Sequence, residues 1–401
     1  MNEAPALRDD KRTRLAVVVS HPTQYYGPWF RRLAAEPSLE LRVFYLWDFG
    51  VAGRHDRQFG RTVKWDVDLL SGYAHEFVPN EARDPGTHRF GGLHNPSLRG
   101  RLRAWSPDAV LLFGYAYRTH LGLLLNPPAP LVFRGDSHLI GQPRPSLVKR
   151  LALRWVYSRC AAVTYVGRAN HHYFRTFGVP EAKLHFAPHA VDATRFARDA
   201  TVTTAAGKLL ADLGLTGKTI ILFAGKLLPA KQPLELLEAF QKIAPADAAL
   251  VFVGEGSERE RLETLAARRP DQSVRFLPFA NQSEMPVRYA MADLFVLPSR
   301  GLYETWGLAV NEAMHLGVPC LVSDRVGCQL DLVTNRETGW VFDASVAGAL
   351  PDALQGALAD IASRADAIRG NVSQHIARYT YEAATAGLLS ALRALKPRVS
   401  V

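Results

Sequence analysis

Residues 219–253 read Thr219-Ile-Ile-Leu-Phe-Ala-Gly225-Lys226-Leu-Leu-Pro-Ala-Lys231-Gln-Pro233-Leu-Glu-Leu-Leu-Glu-Ala-Phe-Gln-Lys-Ile243-Ala-Pro-Ala-Asp-Ala-Ala249-Leu-Val-Phe-Val253. The opening run, Thr219–Ala224, is short, apolar and ends at a glycine, which is how a strand buried on both faces of a parallel sheet reads. Pro233–Ile243 reads as a helix and Ala249–Val253 as the next buried strand, so the stretch is one strand–helix–strand unit. The rhythm continues through a helix at Glu258–Arg268 and strands at Val274–Leu277, Leu294–Leu297 and Pro319–Ser323. Alternation of this kind builds a doubly wound parallel sheet with helices on both faces.

The first half repeats the pattern. Leu15–Val19 is an apolar run ending in Ser20-His21-Pro22, Trp29, Phe30, Leu33 and Ala34 recur at helical spacing, and Leu41–Leu46 is the next strand. Further runs lie at Ala109–Phe113, Leu131–Phe133 and Ala161–Val166, with a helix at Ser146–Arg159. Two α/β domains are therefore expected: residues 1–195, with an insertion or long loop at about 48–100, and residues 219–378. A polar, small-residue linker at 196–218 separates them. Residues 379–401 form a C-terminal helix (Tyr379–Lys396) and tail, and that helix is placed to cross back onto the first domain. Ligands of such sheets bind at the carboxyl ends of the strands, so the cleft between the domains is the expected site.

A chain of 401 residues with 48% apolar content suits two globular domains and excludes a disordered or collagen-like one. No apolar stretch is long enough to span a bilayer, and the charged leader with Arg8, Asp9, Asp10, Lys11, Arg12 and Arg14 argues against a secretory signal. Cys160, Cys320 and Cys328 are too few for a disulfide or zinc framework, which favours a reducing, cytoplasmic setting. The net charge of +10 is lopsided. Residues 1–200 carry 28 Lys and Arg against 17 Asp and Glu, whereas residues 201–401 carry 20 against 21. Between Arg99 and Arg175 only Asp108 and Asp136 oppose twelve basic residues. The basic half is expected to meet something acidic, whether nucleic acid, anionic lipid or a phosphorylated substrate, or else to be a solvated face.

Two constellations in the second half carry chemistry. Gly225 and Lys226 follow a strand, and Lys231 precedes the next helix. A glycine permits close backbone approach, and two ammonium groups near a helix N-terminus suit a diphosphate. The plain alternative is two exposed lysines in a loop. Neither the phosphate-loop nor the dinucleotide fingerprint is present. The second constellation runs from Pro298 to Pro319. Glu304 and Glu312 lie eight residues apart around Gly307, with Glu304 in a loop and Glu312 inside a helix that ends at Gly317. Such carboxylates accept hydrogen bonds from sugar or ribose hydroxyls, while amides near Trp306, Gly307 and Leu308 face an anion. The alternative is a solvated glutamate pair, although Glu312 sits in apolar surroundings where an unpaired carboxylate is costly.

These motifs, in this order, resemble the retaining family 4 glycosyltransferases, which transfer a sugar from a nucleotide diphosphate and have the two-Rossmann GT-B fold. The resemblance covers most of the chain and is densest at 219–340. It implies that Gly225, Lys226 and Lys231 hold the diphosphate, Glu304 the donor sugar's hydroxyls and Glu312 the ribose, with amides of Trp306, Gly307 and Leu308 at the diphosphate and sugar. Val253-Gly254-Glu255-Gly256, Phe276–Phe279, Ala292–Ser299 and Ala187–Asp192 follow the supporting pattern. Thr305 and Trp306 stand where the family usually has Gly and Phe, and Gly327-Cys328 where Gly-Gly is common, departures that bear on the sugar pocket.

In the first half, His21-Pro22-Thr23-Gln24-Tyr25 resembles a subgroup of that family, as do Gly60–Asp66 and Leu69–Tyr73. Gln24, Tyr25 and Gly27 would then touch the donor phosphate or the acceptor. After the strand at Leu131, Asp136 matches by position and His138 by residue type a functional residue of the family. Either would hold the donor sugar's hydroxyls or stabilise positive charge at its anomeric carbon. The alternative for His138 is a satisfied loop histidine. The resemblance further implies that the leaving diphosphate deprotonates the acceptor, so Glu304 need not be a nucleophile. The lysines and helix amides stand in for a metal, no Asp-x-Asp metal site is expected, and no cofactor is called for. Expected partners are a nucleotide-diphosphate sugar, a sugar or lipid-linked acceptor and an anionic membrane surface at the inner face of the membrane. Nucleic acid is not expected, since no zinc finger, basic-region helix or RNA-binding aromatic signature occurs. Two alternatives stay open: a nucleotide-sugar epimerase of the same fold, and a non-catalytic nucleotide-sugar binding protein.

Overall fold

A computed structural model describes residues 12–395 apart from 52–53, 57–60 and 302–303, and gives the backbone alone at 54–56 and 61–63. The expectations that concern 1–11, Gly60, Tyr303 and 396–401 lie outside the described residues. In chain order the strands are β1 (Thr13–Val19), β2 (Leu39–Tyr45), β3 (Arg54–Asp56), β4 (Arg61–Val63), β5 (Ala74–Phe77), β6 (Ala109–Phe113), β7 (Leu131–Arg134), β8 (Ala162–Tyr165) and β9 (Leu184–Phe186). They continue with β10 (Thr219–Ala224), β11 (Ala248–Val253), β12 (Ser273–Leu277), β13 (Leu294–Leu297), β14 (Cys320–Ser323) and β15 (Gly339–Phe342).

Two parallel sheets result. The first runs β5-β2-β1-β6-β7-β8-β9 and the second β12-β11-β10-β13-β14-β15, while β3 and β4 pair antiparallel as a separate ribbon. The central strands are apolar on both faces because helices cover both: Val17 pairs with Val43 on one side and Leu111 on the other, and all three are fully buried. In each sheet the strand order reverses beside the first strand, between β1 and β6 and between β10 and β13. Crevices open at such reversals outside the carboxyl ends of the strands. The loops after β1, β10 and β13 therefore carry Gln24 and Tyr25, Gly225 to Lys231, and Glu304 to Leu308 into one cleft.

The second sheet is wrapped by a single core around Phe223, Phe252, Phe295 and Leu321. The first has a core on each face, one built on Phe44, Leu112 and Phe133, the other on Leu15, Phe30 and Leu111. Ala384, Leu388 and Ala391 of the helix Tyr381–Arg393 join that last core. The Trp29 indole donates to Thr385 Oγ1 at 3.2 Å and the Tyr381 hydroxyl to the Tyr25 carbonyl at 2.8 Å.

Two segments differ from the sequence reading. The stretch 196–218, expected as a linker, holds a helix at Ala200–Asp212 whose N-terminus is capped by Asp199, accepting from the Val202 amide at 2.8 Å. Its alanines and threonines look linker-like, but Val202, Ala206, Leu209, Leu210 and Leu213 fall on one face and pack on the second core. The insertion at 48–100 is not merely a loop, since it supplies the β3–β4 ribbon and β5, the edge strand of the first sheet.

Candidate active site

Where β10 and β11 end, two glycines let the βα loops touch. A Cβ on Gly254 (φ +135°) would lie 2.0 Å from the Gly225 carbonyl oxygen, whereas beyond the Gly225 α-carbon (φ +154°) there is open space. That space is a cavity of about 340 Å³. Gly225, Lys226, Lys231, Gly254, Tyr289 and Glu312 line it from the second domain, and Gln24, Tyr25 and Trp65 from the first. Gly225, Lys226, Lys231 and Glu312, expected on chemical grounds, thus meet Gln24, Tyr25 and Gly254, expected from the resemblance, in one place.

Glu312 is 3% exposed and fully partnered. The Tyr289 hydroxyl donates to one carboxylate oxygen at 2.8 Å and the Tyr25 hydroxyl to the other at 3.1 Å. Burial drives the carboxyl up to about 7, against the pull of the two hydroxyls and of Arg195. Burial, reinforced by the Glu312 charge, raises both tyrosine hydroxyls, so they act as donors. Tyr289 went unforeseen: it sits on a different element from Glu312, and no spacing rule links the two. Glu304 forms an ion pair with Lys231 and accepts from Ser299 Oγ at 2.9 Å.

On the first domain, Asp136 and His138 have different fates. Asp136 accepts from Thr305 Oγ1 at 2.9 Å and lies 3.4 Å from His189 Nε2. Burial raises its pKa, but the bonds from His189 and Thr305 outweigh this and hold it below the usual carboxylate range. It faces a cavity of about 180 Å³ lined also by Tyr26, Arg134 and His189. His138 is 2% exposed and its ring is spent on backbone. Nδ1 accepts from the Ile140 amide at 3.1 Å, which leaves Nε2 to donate to the Glu304 carbonyl at 3.3 Å. Burial lowers its pKa. His138 therefore positions the loop that bears Glu304, and the side chain presented to the cleft is Asp136. His189, noted in the sequence only as part of a supporting pattern, is the partner of Asp136.

Residues 208–373 match the family model described as glycosyl transferases group 1. This stretch belongs to the group 1 glycosyltransferases. Over 248 residues the chain is 31% identical to the GDP-mannose-dependent alpha-(1-6)-phosphatidylinositol monomannoside mannosyltransferase of Mycolicibacterium smegmatis, spanning 60% of this chain and 63% of that relative. The solved structure of Anabaena HepE in complex with UDP and glucose superposes with a TM-score of 0.71 at 16% identity, over 96% of this chain and 100% of that one. Sucrose-phosphate synthase from Thermosynechococcus elongatus gives 0.68 at 20% identity, over 95% and 98%. The two facing Rossmann-like domains are the GT-B fold.

In the group 1 domain, Gly307 (φ +98°) caps the helix Leu308–His315 that presents Glu312. The amides of Leu308 and Ala309 precede the first bond of that helix, which the Val310 amide makes to the Gly307 carbonyl at 2.8 Å, and Ala309 lines the 340 Å³ cavity. Trp306 is 3% exposed, and its indole donates to Asn311 Oδ1 at 2.8 Å. The larger ring, where the family usually has Phe, is absorbed by the core beside His189, 5.6 Å away between centroids.

Gly27, expected at the donor phosphate or the acceptor, is absent from the lining of the 340 Å³ cavity: its amide donates to the Thr23 carbonyl at 3.1 Å, and a Cβ would lie 2.8 Å from the Leu69 carbonyl oxygen, so the missing side chain serves packing. One Asp-x-Asp spacing does occur, at Asp66 and Asp68, and both are committed elsewhere. Asp66 accepts from the Ser283 amide at 3.2 Å and from its hydroxyl, while Asp68 accepts from the amides of Leu70 and Ser71, each at 3.1 Å. With Asn281 Nδ2 donating to the Lys64 carbonyl at 2.9 Å, the Asp66–Ser283 bonds clasp the insertion onto the group 1 domain. The clasp brings Trp65 to 6.5 Å from Phe279 at the cavity wall.

Proposed function

We propose that this protein transfers a sugar from a nucleotide-diphosphate donor to a sugar or lipid-linked acceptor, with retention at the anomeric carbon, in glycan, lipopolysaccharide or glycolipid assembly. The observation that carries the reading is the shared cavity, where the Gly225 cradle, two lysines and Glu312 face Gln24 and Tyr25. In this reading the diphosphate lies against Gly225 and the first-turn amides of the helix Leu308–His315. Lys226 and Lys231 take up the charge that grows on it as the glycosidic bond breaks. Glu312 accepts from the ribose hydroxyls in exchange for a tyrosine. Glu304, freed as Lys231 turns to phosphate, accepts from hydroxyls of the sugar.

Asp136 stabilises positive charge at the anomeric carbon. The acceptor oxygen forms its bond on the face the phosphate leaves, and the departing phosphate oxygen takes the acceptor's proton. Atoms and charge then balance without a side-chain nucleophile. Because the lysines carry the leaving-group charge, activity is proposed to be metal-independent. The mannosyltransferase relative acts with GDP-mannose on a phosphatidylinositol monomannoside, which supports a lipid-linked acceptor here. The test is nucleotide release from UDP-, GDP- and ADP-sugars with and without membrane extract and EDTA, with the product's anomeric configuration read by NMR. Acceptor-dependent release with retention is expected. Release as a sugar isomer without acceptor, or binding without release under every acceptor condition, overturns the reading.

A further inference from the structure

The helix Leu147–Ser158 has two apolar faces. Leu153, Val156 and Tyr157 face inward and are at most 8% exposed. Leu147, Leu151 and Trp155 recur every four residues on another face, with Val148 beside them, and stand 71, 59, 39 and 77% exposed respectively. At about 100° per residue these four span roughly a quarter of the helix circumference, turned away from the core. Arg150 and Arg154 run along one edge of this stripe, and Arg144 and Lys149 lie at its N-terminal end. Among the described residues no carboxylate pairs with any of these four cations. The two acidic residues of the surrounding basic stretch lie elsewhere: Asp136 faces the cleft, and Asp108 accepts from the Arg14 amide at 2.8 Å.

We propose that this helix docks the protein on an anionic lipid surface, with Leu147, Val148, Leu151 and Trp155 in the acyl–headgroup boundary and the flanking cations on lipid phosphates. A ridge of large apolar side chains bordered by unpaired cations and without acids is complementary to such a surface. Among the described residues no helix is long and apolar enough to cross a membrane, so the contact is peripheral. The helix follows β7 through the loop 135–146, which begins beside Asp136, so docking sets the cleft near the surface. The inference rests on the helix alone and stands apart from the transferase reading.

The test uses the full chain with vesicles of phosphatidylcholine, with and without phosphatidylglycerol, in sedimentation at low and high salt. Binding to the phosphatidylglycerol vesicles, weakened by salt, is expected. Leu147→Ser with Leu151→Ser should lower partitioning about tenfold or more. Arg150→Glu with Arg154→Glu should do so at low salt. Both double variants alter exposed positions and should keep the parent Tm. Three results overturn the proposal: no binding to phosphatidylglycerol vesicles at low salt, binding unchanged in both folded double variants, or a concentration-dependent dimer of the parent that the Leu147/Leu151 variant abolishes, which gives the face to a second copy.

Discussion

Tyr25 in the first domain donates its hydroxyl to Glu312 in the second at 3.1 Å, across 287 residues of sequence. The hydrogen bond is a tie between the domains, and it occupies the carboxylate assigned here to ribose. Tie and ribose compete for the same oxygen. Removing the hydroxyl in Tyr25→Phe should therefore tighten nucleotide diphosphate binding several-fold. The unliganded protein should lose about 1 kcal/mol of stability, less than a full charge-assisted bond because the tie spans two domains. Titration calorimetry and thermal unfolding of one preparation read both effects. Weaker binding in Tyr25→Phe would mean that the hydroxyl stays with the nucleotide.

The raised Glu312 pKa sets a pH dependence with a definite sign. A glutamate carboxyl ordinarily titrates near 4.5, and burial drives this one up to about 7, so between these values the folded state binds more protons than the unfolded one. Stability from this group is full below 4.5 and falls as pH climbs to 7, by roughly 3 kcal/mol over the window. Glu312→Gln keeps the shape without the charge. Its Tm relative to the parent should be lower or equal at pH 5 and should gain steadily up to pH 8. Nucleotide affinity of the parent should rise over pH 6 to 8 as the carboxylate becomes a pure acceptor, and Glu312→Gln should bind weakly with no such rise.

Lys231 and Glu304 neutralise each other in an ion pair between the loops after β10 and β13. If the lysine turns to the donor phosphate, Lys231→Ala should weaken nucleotide affinity by about 1.5–3 kcal/mol. Lys231→Arg should restore part of it. If the Glu304 carboxylate reads the sugar, as proposed, Glu304→Gln should leave free nucleotide binding within about threefold and strike turnover with the sugar donor. Binding of UDP or GDP against steady-state kinetics separates the two.

The cation pair and the two glutamates were legible in the sequence because each is local. Five residues separate Lys226 from Lys231, and eight separate Glu304 from Glu312. The apolar strands β1, β6, β10 and β11 were equally plain, since burial on both faces leaves an unbroken apolar run. β5 was not, because Ala-His-Glu-Phe is a half-exposed edge strand. The contacts that complete the site join distant loops: Tyr25 with Glu312, Asp136 with His189, Asp66 with Ser283. The first and third depend on how the domains face each other and the second on how two loops of the first domain meet, which neither periodicity nor spacing encodes.

Asp136 and His138 differ in geometry, one lining a cavity and the other bonded to backbone, and the proposed reading gives them different functions. Asp136→Asn keeps the size and the Thr305 contact and removes the charge facing the cleft, so turnover should drop about a hundredfold or more with little change in nucleotide affinity. In His138→Ala the Ile140 amide and Glu304 carbonyl lose their partner, and about 2 kcal/mol of stability should go, with a secondary loss of activity as the Glu304 loop loosens. His138→Gln should recover part of the Tm. Equal kinetic losses with unchanged Tm in both alanine and asparagine variants would return His138 to the chemistry.

The clasp between Asp66 and Ser283 is the remaining lever. It joins an insertion of the first domain to the rim of the 340 Å³ cavity and carries Trp65 to the wall beside Phe279. In the proposed reading a nucleobase entering there would gain an aromatic face from the first domain. Trp65→Ala should raise the Kd for UDP or GDP by about tenfold, within the 1–3 kcal/mol span of base–aromatic stacking. Asp66→Ala leaves Trp65 in place but cuts its tether. It should cost about threefold in nucleotide affinity because both partners are exposed and the bonds compete with water. Ribose 5-phosphate, which has no base, should bind all three proteins alike. Calorimetric titration with the two ligands therefore tells stacking from general loosening: a loss of ribose 5-phosphate binding in Trp65→Ala would move the tryptophan from the base to the scaffold.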